Sequence, residues 1–106
     1  MKRIFTYEEA AGLLPAVQEL TSSAVAELEE LIMSDTQPDS EAGKEQYEGV
    51  IERWAASVTE LGIEVKGLWL IDFDCGSGYY CWKYPEPALQ HFHGYEEGFE
   101  GRVKLN

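Results

Sequence analysis

The sequence predicts an α+β domain: a long antiparallel helical hairpin, then a small antiparallel β-sheet of two or three strands and a glycine-rich C-terminal tail. Three observations carry this prediction. Apolar residues step by three and four between Leu14 and Leu61, the period of an amphipathic helix. From Ile63 the composition turns to β-branched and aromatic residues around a Gly-Ser-Gly turn. The chain of 106 residues suits one domain, with the hairpin over about 6–62 and the sheet and tail over about 63–106.

The first helix is predicted from about Tyr7. Thr6 can accept from the backbone N–H of Glu9, and Glu9 can reach back to the N–H of Thr6, which makes a capping box. Pro15 removes one backbone bond inside the helix, which calls for a kink or a restarted first turn. Leu14, Val17, Thr21, Ala24, Leu28 and Leu31 share one stripe, and Glu19, Glu27, Glu29 and Glu30 fall mostly elsewhere. Pro38, Asp39, Ser40 and Gly43 break the pattern into a loop. A second helix then runs from Ser40 or Glu41 to Leu61, with Tyr47, Ile51, Trp54, Val58 and Leu61 on its stripe and Gly62 as its stop. Two such helices joined by a short connection lie antiparallel. Val25, Val50 and Trp54 are the residues available to a second face.

Ile63 to Lys66 reads as a short strand or an extended entry, Leu68 to Asp74 as a strand, and Tyr79 to Tyr84 as its hairpin partner. A loop of Gly76 to Gly78 sets Phe73 opposite Cys81 and Asp72 opposite Trp82. Trp69, Ile71 and Phe73 then face the helices, and Asp72, Tyr80, Trp82 and Tyr84 make an aromatic surface on the other side. That surface is either packing beneath the C-terminal segment, a ligand wall or a dimer contact. Pro85 and Pro87 turn the chain. Ala88 to His93 can add a third strand with Leu89, His91 and His93 on one face, and Gly94 to Gly98 forms a short irregular or helical turn.

Composition excludes several function classes. The net charge is −12, from 20 acidic against 8 basic residues, so the surface repels phosphate backbones and anionic membranes. Neither nucleic acid nor a membrane is expected as a partner. No apolar run approaches the ~20 residues that cross a bilayer, and Glu8 and Glu9 interrupt any leader-like start. A cytoplasmic location is expected, where Cys75 and Cys81 default to free thiols. They lack the spacing of a structural zinc site. The helices hold no histidine, and no glutamate stands three positions before His91 or His93, which argues against a di-iron bundle.

The closing half of the chain, "DFDCGSGYYCWKYPEPALQHFHGYEEGFEGRVKL", resembles the prokaryotic family grouped as domain of unknown function 2203. The resemblance rests on an acid-phenylalanine strand (Asp72, Phe73), a Cys-Trp strand (Cys81, Trp82) and a glutamate turn (Glu86). An aromatic-histidine pair (Phe92, His93) and Gly98, Phe99, Gly101 and Arg102 complete it. "FTYEEAAGLLPAV" and "ELGIEVKG" extend it over nearly the whole chain. Pro85 stands where the family pattern has a glycine and Gly94 where an acid is common, and His91 lies outside the pattern. The family's function is not established, so the resemblance implies a fold and an alignment and brings no activity.

The residues themselves offer two site readings and a plainer one. His91 and His93, two apart on a strand, can converge on a divalent metal with Glu86, Glu96 or Glu97 adding oxygen; no other cofactor is expected. Arg102 offers a planar fork to a carboxylate or phosphate, the N–H groups of Gly98 and Gly101 can approach closely, and His93 can act as acid or base oriented by Asp72 or Glu86. The plainer reading pairs Arg102 with Asp72 or Glu86, lets His93 donate to a backbone carbonyl, and uses Phe99 to plug the helix–sheet interface. The candidate ligand-binding residues are Asp72, Trp82, Glu86, His93 and Arg102, with His91 and His93 for a metal.

Two functions follow. The favoured one is a small interaction or scaffolding module that self-associates through its helices as a dimer. It expects no deep pocket and an Arg102 paired within its own chain. The alternative is a small-anion or metal-binding protein or enzyme around His93, Arg102, Glu86 and Asp72. It expects a pocket between sheet and tail where these groups converge, with Arg102 partly unpaired. No nucleophile stands out, so whether the protein is an enzyme stays open.

Overall fold

The computed structural model describes residues 3–34 and 40–105. Helix α1 spans Tyr7–Met33 and helix α2 spans Glu41–Glu60, and they pack as a hairpin. Both sides of the Thr6–Glu9 capping box are formed, with the Glu9 N–H donating to Thr6 Oγ1 at 3.1 Å. The helix runs unbroken through Pro15, with no restart. Ser40 caps α2 by accepting from the Gly43 N–H. Gly62 takes φ 85 after the C-cap Leu61, the left-handed stop that ends the helix. Pro38 and Asp39 of the expected loop lie outside the described residues.

The buried stripes are those the periodicity indicates, with one exchange. Leu14, Val17, Thr21 and Ala24 are buried on α1; on α2 Val50 is buried where Ile51 was expected, beside Trp54 and Val58. Thr21 is a polar member of a dry seam. Its hydroxyl donates to the Val17 carbonyl at 2.7 Å and accepts from Trp54 Nε1 at 2.8 Å, so no buried polar group there is left unmet.

The sheet has five antiparallel strands rather than two or three: β1 Glu64–Gly67, β2 Leu70–Asp74, β3 Tyr79–Lys83, β4 His91–His93 and β5 Val103–Lys104. They pair in chain order as a meander. The two extra strands are β1, over the stretch that reads as a short strand or extended entry, and β5, from the tail. Leu68 and Trp69 form a tight turn between β1 and β2, with Trp69 at φ 58, so β2 begins at Leu70 and not at Leu68. The Trp69 ring packs edge-on against Trp54 at 4.8 Å, which holds an unfavourable backbone conformation in place. The tail leaves the 3₁₀ turn Phe99–Gly101 to add β5 against β4.

The β2–β3 register is one residue away from the sequence reading. Asp72 pairs with Cys81 and Phe73 with Tyr80, because Cys75 joins Gly76–Gly78 in a four-residue loop. The slip reverses the faces of β3. Ile71 and Trp82 now sit opposite one another, and Trp82 is 1% exposed within the helix-facing core. Tyr80 and Tyr84 pack against the same core. The expected aromatic surface around Asp72 is therefore replaced. Leu89 is also in the core, off the strand and away from the histidines it was grouped with. At Gly78 any Cβ would meet the Phe92 ring at 2.5 Å and the His93 carbonyl at 2.6 Å, so the close approach of β4 needs a glycine there. Before α1, Phe5 donates to the Asp74 carbonyl at 2.7 Å and its ring meets Phe73 edge-on at 5.3 Å.

Candidate functional site: a polar cleft on the outer face of the sheet

Alternation along the strands sends one set of side chains away from the helices. Glu64, Asp72, Cys81, His91 and Lys104 form one row of cross-strand partners across all five strands. Asp74, Tyr79 and His93 form the next row. A sheet face open to water carries polar residues, yet here Asp72, Asp74, Cys81 and His93 are buried, because the turn after β4 folds back over them. Tyr95 closes that turn by donating to Asp74 Oδ1 at 2.7 Å and packing edge-on against Tyr79 at 5.2 Å. Between sheet and turn lies a cleft of about 350 Å³ lined by Asp72, Tyr79, Cys81, His93, Glu96 and Glu97, among others.

On the cleft floor His93 Nε2 meets Asp72 Oδ2 at 2.9 Å, and His93 Nδ1 meets the Gly94 carbonyl at 2.9 Å. A carbonyl only accepts, so Nδ1 carries a proton. One further proton is then shared between Nε2 and the Asp72 carboxyl. The other oxygen, Asp72 Oδ1, is buried without a hydrogen-bond partner, and the Cys81 thiol, a weak donor, interacts with the same carboxyl. Burial, followed by the Asp72 charge, pushes the Cys81 thiol up to about 12, so in the free protein it is a neutral thiol. The donor atoms of Asp72, Cys81 and His93 all lie within 4.8 Å of one another.

Arg102 and Glu86 belong to a neighbouring arrangement. Arg102 meets Glu86 with both nitrogens of its fork, Nη1 donating to Oε1 at 3.0 Å and Nη2 to Oε2. Glu86 also accepts from the Lys83 backbone N–H at 2.8 Å. Burial works to raise the Glu86 pKa, but the Arg102 and Lys83 bonds outweigh it and hold the carboxyl below its usual range. The guanidinium stacks 4.1 Å from the Phe99 ring. Phe99 is thus on the outer face, 37% exposed, and does not plug the helix–sheet interface. His91 Nδ1 lies 3.7 Å from Glu86 Oε2 and is not part of the Asp72–Cys81–His93 cluster.

The five ligand-binding candidates are therefore not one constellation. Asp72 and His93 meet on the cleft floor, Glu86 and Arg102 pair with each other, and Trp82 is turned to the core, donating its Nε1 proton to the Glu86 carbonyl at 2.8 Å. Cys81 was passed over, and with it Tyr79 and Lys66 of the cleft. The signal for Cys81 was present: pairing the bulky inner residues, Ile71 with Trp82 and Phe73 with Tyr80, puts Cys81 beside Asp72. At the cleft edge Glu64 accepts from Lys66 at 3.2 Å and from the Tyr79 hydroxyl at 3.1 Å. Burial lowers the Lys66 pKa, yet these contacts prevail and raise it.

Fold and site together define a class: an α+β domain with a helical hairpin on one face of a five-stranded meander and a buried acid–thiol–imidazole cluster on the other. The chain belongs to the DUF2203 family, described as an uncharacterized conserved protein, whose model matches residues 3–105. No curated protein and no solved structure matches the chain.

Proposed function

We propose that this protein binds a small cation in the cleft on the outer face of its sheet, with the Asp72–His93 pair as the floor of the site. The supporting observation is the buried Asp72, 1% exposed, with one carboxylate oxygen bound to His93 and the other without a partner. A buried polar atom left unmet costs about 1–3 kcal/mol, and a bound ion is one of the things that meets it. Cleft electrostatics favour a cation over the small anion that Arg102 suggested. Asp72, Glu96 and Glu97 line the cleft, its Lys66 is paired with Glu64, and the Arg102 fork is occupied by Glu86.

The test is a thermal-shift screen of chelator-treated protein against divalent metals, a diamine and inorganic phosphate. A ligand bound only by the folded state raises the melting temperature by mass action. The reading expects a shift with a cation, lost in Asp72→Asn, and none with phosphate. A shift with phosphate alone would overturn it.

Self-association as an interaction module is a second reading, favoured by Ile32 and Met33, which are 60% and 87% exposed at the end of α1. Light scattering of native protein against Ile32→Lys would test it: a dimer turned into a monomer supports it, and a native monomer removes it. No helix among the described residues is long and apolar enough to cross a membrane. A cytoplasmic location agrees with both cysteines being free.

A further inference from the structure

We propose that Asp72, Cys81 and His93 are three ligands of a zinc-class divalent metal ion, with a fourth coordination position opening into the cleft. The proposal rests on the cation-site reading above and names its ligand.

The three residues come from three adjacent strands, β2, β3 and β4, whose ladders fix their relative positions. Their donor atoms lie within 4.8 Å of one another. Tetrahedral zinc at ~2.0–2.3 Å from its ligands sets them about 3.3–3.8 Å apart. Small side-chain adjustments therefore suffice. Nε2 and Oδ2, now 2.9 Å apart, would separate slightly to admit the ion.

Ligand chemistry selects the class. A thiolate and an imidazole beside one carboxylate suit zinc or cobalt, whereas calcium and magnesium call for oxygen alone. The side chains are buried, at 1% for Asp72 and Cys81 and 5% for His93, as ligands in a dry site are. Asp72 and a Cys81 thiolate together match the charge of a divalent ion, so the bound site is neutral.

Two further features are those of a metal site. His93 Nδ1 donates to the Gly94 carbonyl at 2.9 Å, which orients the ring and fixes Nε2 as the ligating atom. Arg102 Nη1 lies 4.0 Å from Cys81 Sγ, near enough to bond a thiolate, while Glu86 neutralises its charge. The unpartnered Asp72 Oδ1 is the independent sign that a ligand belongs there. Three protein ligands leave a position for water or substrate, and Glu96 and Glu97 line the approach.

The experiment is titration of the chelator-treated protein with Co²⁺, read by absorption, followed by displacement with Zn²⁺. The expected result is one cobalt per chain with tetrahedral visible bands and a thiolate-to-cobalt charge-transfer band. Cys81→Ser should abolish the charge-transfer band. Asp72→Asn and His93→Gln should weaken binding by more than the roughly 10–100-fold that an outer-shell loss costs. His91→Ala should leave the spectrum unchanged. Circular dichroism of each variant separates loss of metal from loss of fold, and Cys81→Ala replaces any serine variant that unfolds. A charge-transfer band that survives Cys81→Ser or Cys81→Ala, or is lost in His91→Ala, would overturn the ligand assignment. If the native chain shows no cobalt bands but a diamine still stabilises it and not Asp72→Asn, the metal assignment fails and the cation cleft stands. If neither binds, both fail.

Discussion

Cys81 sits 1% exposed beside Asp72, and burial pushes its thiol up to about 12, well above the ordinary 9.0. A folded-state pKa above the unfolded one gives stability that is complete below pH 9 and is lost as pH rises toward 12. The thiolate is the reactive form, so Cys81 should resist iodoacetamide at neutral pH while the partly exposed Cys75 reacts; peptide mass spectrometry of the native and denatured chain would check this. Rapid native labelling of Cys81 would contradict the burial. Thr21 supplies a second residue-scale prediction. Thr21→Val keeps the shape and strands the Trp54 indole N–H, which should cost about 1–3 kcal/mol by chemical denaturation. Helical spacing alone places Thr21 on the buried stripe, but its bond to Trp54 was not legible, because the relative rotation of two helices is a tertiary property.

The Arg102–Glu86 pair works at the scale of elements, pinning the chain just before β5 to the turn after β3. Its side chains are 14% and 20% exposed, so Arg102→Ala should cost roughly 2–3 kcal/mol, below the ~3–5 of a fully buried pair. Because the Glu86 pKa is lowered from 4.5 in the folded state, the pair's stabilisation is present above pH 4.5 and is lost as pH falls through the folded value. Native protein should therefore lose stability more steeply than Arg102→Ala in acid melts; equal slopes would contradict the clamp. Gly78→Ala should break the β3–β4 approach, lowering the melting temperature and disturbing His93, whose carbonyl the new Cβ would strike. These elements differ in how far the sequence reveals them. The capping box, the helix stripes and the Gly62 stop depend on neighbours within one turn and were readable. The register of β2 with β3 depends on whether Cys75 belongs to the loop, and one residue reverses a face. The strand β5, two residues long, has no periodicity to read.

For the whole molecule, the division of labour is between two faces of one sheet. The helices cover the apolar face through Val17, Trp54 and Val58 against Ile71, Phe73 and Trp82. The tail covers the polar face and leaves a cleft over Asp72, Cys81 and His93. Asp72 and His93 stood out in the sequence as candidates within a compact polar signature, whereas their separation from Arg102 and Glu86 needed the correct register and the path of the tail. The most direct measurement of the central claim is long-range ¹H–¹⁵N NMR of the histidine rings during titration with Zn²⁺. The account predicts that the His93 Nε2 resonance moves to a metal-bound position while Nδ1 keeps its proton on the Gly94 carbonyl, with the His91 ring unligated. A His93 ring unchanged at saturating Zn²⁺, or one ligated through Nδ1, would contradict it.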